Sequence, residues 1–361
     1  MAHTICSRLT LRPAGVGLSR TVPFWTAILP ILYAADVMII SEFVCPRTRT
    51  PLTLSADKSY LESPGGDRYR IIDGIPELLI DGDHPQGPAG NQEYYRTRAE
   101  EYDRGTDVMF RMLLSDEDAT RNEMIGMLGL HSGARVLEIG CGTCRDTAHL
   151  LHRDVTVYAG DLSREMVLVG RDRLQRAGAD LSRLRLFRAD AVQLPFADGF
   201  FDAAFHFGGI NLFPDIAAAL AEMARVVKPG GRVVAGDEGV GSWLSNTDFA
   251  KILKNSNPLF GHAAPLDGIP VNARDVTCRW ILNGSFYLIA FDVGEGEPQL
   301  DLDVQFPGLR GGSHRTRYFG KLEGVSPDLR DMVGKAAAAE GVSIATWLEK
   351  RLRQALGSEP T

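Results

Sequence analysis

The segment Val136-Leu137-Glu138-Ile139-Gly140-Cys141-Gly142-Thr143-Cys144 constrains this chain most. An apolar run ends at an acid, two glycines flank one residue, and an amphipathic stretch from Thr147 to Leu151 follows. This reads as a buried strand, a tight turn and the start of a helix, with glycines where no Cβ blocks the approach of backbone to a ligand. A second apolar run, Val155 to Gly160, ends at Asp161, 21 residues beyond Gly140. That is near the spacing at which a carboxylate meets ribose hydroxyls beyond a glycine turn. The two features together point to an adenosine-containing cofactor. A dinucleotide fingerprint wants a third small residue at position 145, where this chain has Arg145.

Further motifs follow in order. They are Gly160-Asp161-Leu162-Ser163 with Met166, and Arg188-Ala189-Asp190-Ala191 with Leu194-Pro195-Phe196 and Phe201-Asp202. Lys228-Pro229-Gly230-Gly231 then precedes Arg232-Val233-Val234, and upstream lies Ala99-Glu100-Glu101-Tyr102-Asp103. Taken with the glycine turn, this series resembles the class I S-adenosylmethionine (SAM) methyltransferases, particularly their quinone-biosynthesis branch. The resemblance implies that Glu138 lies near the methionine ammonium and that Gly140 and Gly142 admit the cofactor. It also implies that Asp161 accepts from the ribose hydroxyls, with Leu162 beside it, and that Asp190 accepts from the adenine amino group, with Ala191 adjacent. The family often has glycine where Cys144 stands. Residues after the fourth core strand should face the methyl group, which makes His206 the candidate catalytic base; a histidine simply hydrogen-bonded at a strand end is the competing reading. Asp237 and Glu238, after the fifth core strand, could bind a polar substrate or be solvated loop acids. Tyr94, Tyr95 and Tyr102 could form an aromatic lid or a packed helix face.

The expected fold is α/β: a Rossmann-like, doubly wound, seven-stranded methyltransferase sheet across residues 91–295, with strands near 135–139, 155–160, 184–188, 202–207 and 232–236. Val276 to Phe291, turning at Asn283-Gly284, reads as its closing hairpin. Residues 39–83 read as a small β-rich module that resembles a zinc-ribbon-like domain, but Cys45 stands alone, Thr48 takes the partner position and Ser63-Pro64-Gly65-Gly66 replaces the second knuckle. Tetrahedral zinc needs four N or S ligands, so no metal is expected. Residues 313–357 read as strand, helix, turn and helix, resembling the ribbon-helix-helix fold. That hairpin could dimerise or bind DNA, although Arg315, Arg317 and Lys321 make a thin phosphate-binding face.

The 361 residues, 44% hydrophobic and 24% charged, suit a soluble globular protein, and a net charge of −7 argues against a generally nucleic-acid-coating surface. The five cysteines suggest no disulfide framework. Cys141 and Cys144 form a CxxC, read as small turn residues rather than a redox or zinc pair. Residues 1–38 carry no acid before Asp36, and their apolar stretch is broken by Pro30. They read as a disordered leader or a start set upstream of Met38, ahead of a targeting peptide and of a membrane span. The cytoplasm is the expected compartment. The expected activity is SAM-dependent methyl transfer to a small molecule through an O, N or C nucleophile. The alternative is a non-catalytic SAM-fold protein that regulates, dimerises or binds DNA.

Overall fold

The computed structural model describes residues 42–80, 89–307, 312–314 and 325–357. The leader and most of the strand expected ahead of the C-terminal helix pair (residues 315–324) therefore lie outside the described residues. Two compact units divide the chain, residues 1–296 and 297–361.

The first unit is built on one sheet of eleven strands. Its centre comprises β5 (Ala134–Ile139), β6 (Val155–Asp161), β7 (Leu184–Ala189), β8 (Phe201–Phe207), β9 (Val227–Glu238), β10 (Ala273–Ile281) and β11 (Phe286–Val293). The spatial order β7-β6-β5-β8-β9-β11-β10 makes these seven strands doubly wound, with the chain reversing direction across the sheet between β5 and β8. Strands β7 to β9 run parallel across β5, and β11 enters antiparallel between β9 and β10. Parallel strands joined by helices are covered on both faces, so both faces of these strands are apolar. Along β5, Ala134 and Val136 enter one core cluster, while Leu137 and Ile139 enter the other. Along β6, Val157 and Ala159 alternate in the same way with Tyr158.

Helices α1 (Ala89–Met112), α2 (Glu117–Gly126), α3 (Arg145–Leu151) and α4 (Arg164–Arg176) precede or alternate with the central strands, as does α5 (Ile216–Val226). Their starts are fixed by side chains that accept otherwise orphaned amides. Asp116 accepts from Ala119 N at 2.7 Å, Ser163 from Met166 N at 3.3 Å and Asp215 from Ala218 N at 2.9 Å. Helix α6 (Asp248–Ser256) follows β9.

The small N-terminal module is not a separate bead. Its strands β1 (Thr53–Leu54), β2 (Tyr60–Glu62), β3 (Arg68–Ile72) and β4 (Ile75–Leu78) form an antiparallel ribbon, and β4 then pairs parallel with β7, Leu78 opposite Ala189. Phe43 packs against Phe187 and Phe196 at ring distances of 5.8 and 5.3 Å, and Val44 N donates to Pro195 O at 2.9 Å. Cys45 is fully buried, its thiol 3.5 Å from Asp67 Oδ2 and 3.1 Å from the Tyr69 hydroxyl. Ser63 Oγ also donates to Asp67 Oδ2, at 3.0 Å, so the turn expected to replace a zinc knuckle is closed by its own side chains.

In the second unit, α7 (Pro327–Ala339) and α8 (Ile344–Leu356) are the expected helix pair, with Ser343 capping Thr346 N at 3.1 Å. Among the described residues no helix is long and apolar enough to cross a membrane.

Candidate functional site

The strand ends of β5 and β6 meet at the glycine turn. Gly140 and Gly142 have φ of 64° and 51°, the left-handed region in which a Cβ is costly. Asp161 locks the turn to the neighbouring strand: Gly142 N donates to its Oδ2 at 2.9 Å and Ser163 N to its Oδ1 at 2.8 Å. Burial raises the Asp161 carboxyl above its ordinary value, opposed by those amide donors. Each oxygen keeps a further lone pair for a ligand hydroxyl.

Glu138 is 2% exposed and accepts from Thr147 Oγ1 at 2.6 Å. Desolvation, then the charge of Asp146, push its pKa well up. Asp190 follows β7, its Oδ1 accepting from Val192 N at 3.1 Å, with Ala191 half-buried beside it. Arg188 Nε donates to the Leu162 carbonyl at 2.7 Å, which ties the ends of β6 and β7 together next to both residues.

His206 is 1% exposed. Its ring Nδ1 donates to Ile139 O at 2.7 Å, while Nε2 has no hydrogen-bond partner among the described residues. Burial lowers its pKa, which favours the neutral ring. A Cβ at Gly140 would stand 3.0 Å from His206 Cε1, so the histidine braces the turn from behind.

A cavity of about 370 Å³ opens beside the turn. Tyr102, Met109 and Met112 of α1 line one side, and Cys141 to Thr143 with Asp146 line another. Phe207, Glu238, Phe260 and Phe286 line the far wall. Of the residues expected at the site, Gly142, Tyr102 and Glu238 line this cavity. Glu138, Gly140, Asp161, Leu162, Asp190, Ala191 and His206 are not among its lining residues. The side chains of Tyr94 and Tyr95 lie outside the described residues.

Asp146 escaped sequence reasoning. It is 7% exposed, pairs through Oδ2 with Arg121 at 2.6 Å, and holds Oδ1 buried without a hydrogen-bond partner among the described residues. Asp103 was noticed only as part of a motif. It accepts from Thr143 Oγ1, from Arg145 Nε at 2.9 Å and from Arg173 Nη1 at 3.1 Å, so it fastens α1 across the turn. Arg145 also pairs with Glu117 at 2.7 Å, which gives the residue that broke the dinucleotide pattern a defined structural role. The Cys141 and Cys144 thiols are buried and free; their mutual contact and burial push Cys141 well above the ordinary thiol range, away from thiolate chemistry.

Residues 137–235 match the family model described as a methyltransferase domain. The chain is 35% identical over 170 residues to a demethylmenaquinone methyltransferase of Beutenbergia cavernae, covering 47% of this chain and 65% of that protein. It is 31% identical over 147 residues to the demethylmenaquinone methyltransferase of Bacillus mycoides, covering 40% of this chain and 61% of that one. A 27-O-demethylrifamycin SV methyltransferase of Amycolatopsis mediterranei is 34% identical over 131 residues, covering 34% of this chain and 48% of its own length. The chain thus spans less than two thirds of each of these relatives. The strand order and the glycine turn agree with that match, so residues 137–235 are similar to a methyltransferase domain.

Proposed function

We propose that this protein transfers a methyl group from SAM to a small, largely apolar acceptor. The observation that carries this reading is the joining of two strand ends by Asp161, which holds the Gly142 amide while keeping lone pairs for a ribose. Gly140 and Gly142 admit the cofactor; Leu162, Asp190 and Ala191 serve its adenine end. Glu138 and the orphaned oxygen of Asp146 offer hydrogen-bond acceptors for its ammonium, a fit that an unpartnered buried carboxylate oxygen supports.

SAM supplies a methyl group on a sulfonium, an activated leaving group. The residues of the chain therefore align and desolvate; positioning alone can lower a bimolecular barrier by about 7–11 kcal/mol. Helix α1 closes over the turn through Asp103, and Met109, Met112, Phe207, Phe260 and Phe286 exclude water from the acceptor side. In this reading His206 acts as a positioning residue: buried, neutral and behind Gly140, it shapes the turn rather than receiving a proton from substrate.

Calorimetric titration with SAM tests the proposal. Asp161→Ala removes a charged acceptor and should weaken binding by about 10–100-fold, the equivalent of about 1.5–3 kcal/mol. No heat from the wild-type protein would sink the reading.

The second unit supports a further element of the proposal, self-association. Met332, Ile344, Leu352 and Leu356 on α7 and α8 are large, apolar and 49–79% exposed. That exposed apolar face supports a homodimer; the strand expected to read DNA lies outside the described residues.

A further inference from the structure

We propose that Glu238 selects the methyl acceptor, admitting an uncharged, mainly apolar molecule that carries one hydroxyl or N–H group and rejecting anions. This rests on the methyl-transfer reading of the cleft.

Glu238 ends β9 and lines the cavity wall shared with Phe207, Phe260 and Phe286. Its neighbour Asp237 is fully buried and already committed: Oδ1 accepts from Glu238 N at 2.8 Å and Oδ2 from Asn211 N at 2.7 Å. Asn211 is fixed in turn, its Nδ2 donating to Glu238 O at 2.8 Å and its Oδ1 accepting from the Tyr287 hydroxyl at 2.9 Å. The frame leaves the Glu238 carboxyl as the charged group on the wall formed by Phe207, Phe260 and Phe286, across the cavity from Arg121, Arg145 and Asp146. Its one side-chain donor with a measured distance is Asn257 Nδ2, at a long 3.4 Å. Desolvation, the adjacent Asp237 charge and a side-chain hydrogen bond with Asp237 raise its pKa.

A carboxyl in such a wall has one strong requirement, a hydrogen-bond donor from the occupant. Without it a buried polar group is left unpaired, and sites of this kind discriminate strongly against analogues that lack the donor. The arginines that line the cavity, Arg121 and Arg145, are already ion-paired with Asp146 and with Asp103 and Glu117, so they leave the acids at 237 and 238 to disfavour a carboxylate or phosphate on this wall. The methionines and phenylalanines accommodate the apolar remainder.

Three probes share one ring system: 1-naphthol, naphthalene and 1-naphthoate. Each is titrated into the full-length protein loaded with S-adenosylhomocysteine, whose own affinity is measured first. The expected order is naphthol about tenfold or more tighter than naphthalene, with naphthoate weakest. In Glu238→Ala the naphthol advantage should fall to about threefold or less, and naphthoate should gain. Glu238→Gln, which keeps the side-chain shape, should restore binding of naphthoate while retaining part of the naphthol preference, and it stands in if the alanine variant fails to fold. Equal binding of naphthol and naphthalene, or binding of neither, overturns the assignment. So does a preference that survives in both variants, or a variant that loses S-adenosylhomocysteine instead of the probe. If the wild-type protein does not bind S-adenosylhomocysteine, the methyl-transfer reading fails. The probe titrations on the unloaded chain then still score Glu238 by the same criteria.

Discussion

At the residue scale, Cys144 shows how a departure from a family pattern is absorbed. It occupies the left-handed region with φ of 59°, and its side chain is fully buried. Space for it comes from Gly170 on α4, where a Cβ would stand 2.5 Å from the Cys144 sulfur. The glycine missing from one position is in effect found at another, which a linear pattern does not reveal. Glu138 carries a sharper consequence. The folded protein holds its proton more tightly than the unfolded chain does, because burial and Asp146 disfavour the anion. The stability it contributes is complete below about pH 4.5, the ordinary glutamate value, and is lost as pH rises through the raised folded value. Glu138→Gln should therefore be more stable than wild type at pH 7–8, with the difference shrinking toward pH 4. Each kcal/mol should appear as about 2–4 °C in Tm. Thermal melts across that range check it, and equal melting temperatures at pH 8 would contradict it. The acids at 138, 161 and 190 were legible in the sequence because each closes an apolar run. The burial of His206 and the orphaned oxygen of Asp146 were not, since both depend on neighbours distant in the chain.

At the scale of elements, α1 is the part most open to experiment. Its sequence is polar, and what holds it over the turn is charge: Asp103 on Thr143, Arg145 and Arg173, with Asp107 also 2.8 Å from Arg145. Arg145 is 9% exposed, so its ion pairs are less screened than surface pairs. Asp103→Ala should cost about 1–3 kcal/mol and speed hydrogen exchange of the amides from 101 to 112 while those of β5 stay protected. Uniform exchange in wild type and variant would show that apolar contacts alone hold the helix. Strand positions of the central sheet were readable to within a few residues because parallel strands are uninterrupted apolar runs ended by acids or glycines. The module was read less well. Tyr60–Glu62 forms a strand without an apolar alternation to announce it, and around Phe43 only an isolated bridge joins Val44 to Pro51. Ribbons this short pair through backbone groups that carry little side-chain signal.

At the scale of the whole molecule, the boundary expected after residue 83 is not a seam: the pairing of β4 with β7 joins the module to the central sheet, and residues 1–296 form one compact unit. The helix pair of the second unit, by contrast, was recognisable from its caps and apolar spacing. Its exposed apolar face predicts concentration-dependent self-association. Met332→Lys with Leu356→Lys should shift the mass measured by light scattering from dimer to monomer without changing SAM affinity. A wild-type monomer at high protein concentration would refute this.

The pairing of β4 with β7 also sets where the gene can be cut. Removing residues 42–80 would bare the backbone of Arg188–Ala189, the part of β7 that β4 pairs, one residue before Asp190, and lengthen the open edge of that strand. Such edges recruit strands from other chains. A shortened version begun after residue 83 would be expected to precipitate, whereas one that begins before Phe43 keeps its border closed. A boundary legible in composition is here the wrong place to recombine this domain with another.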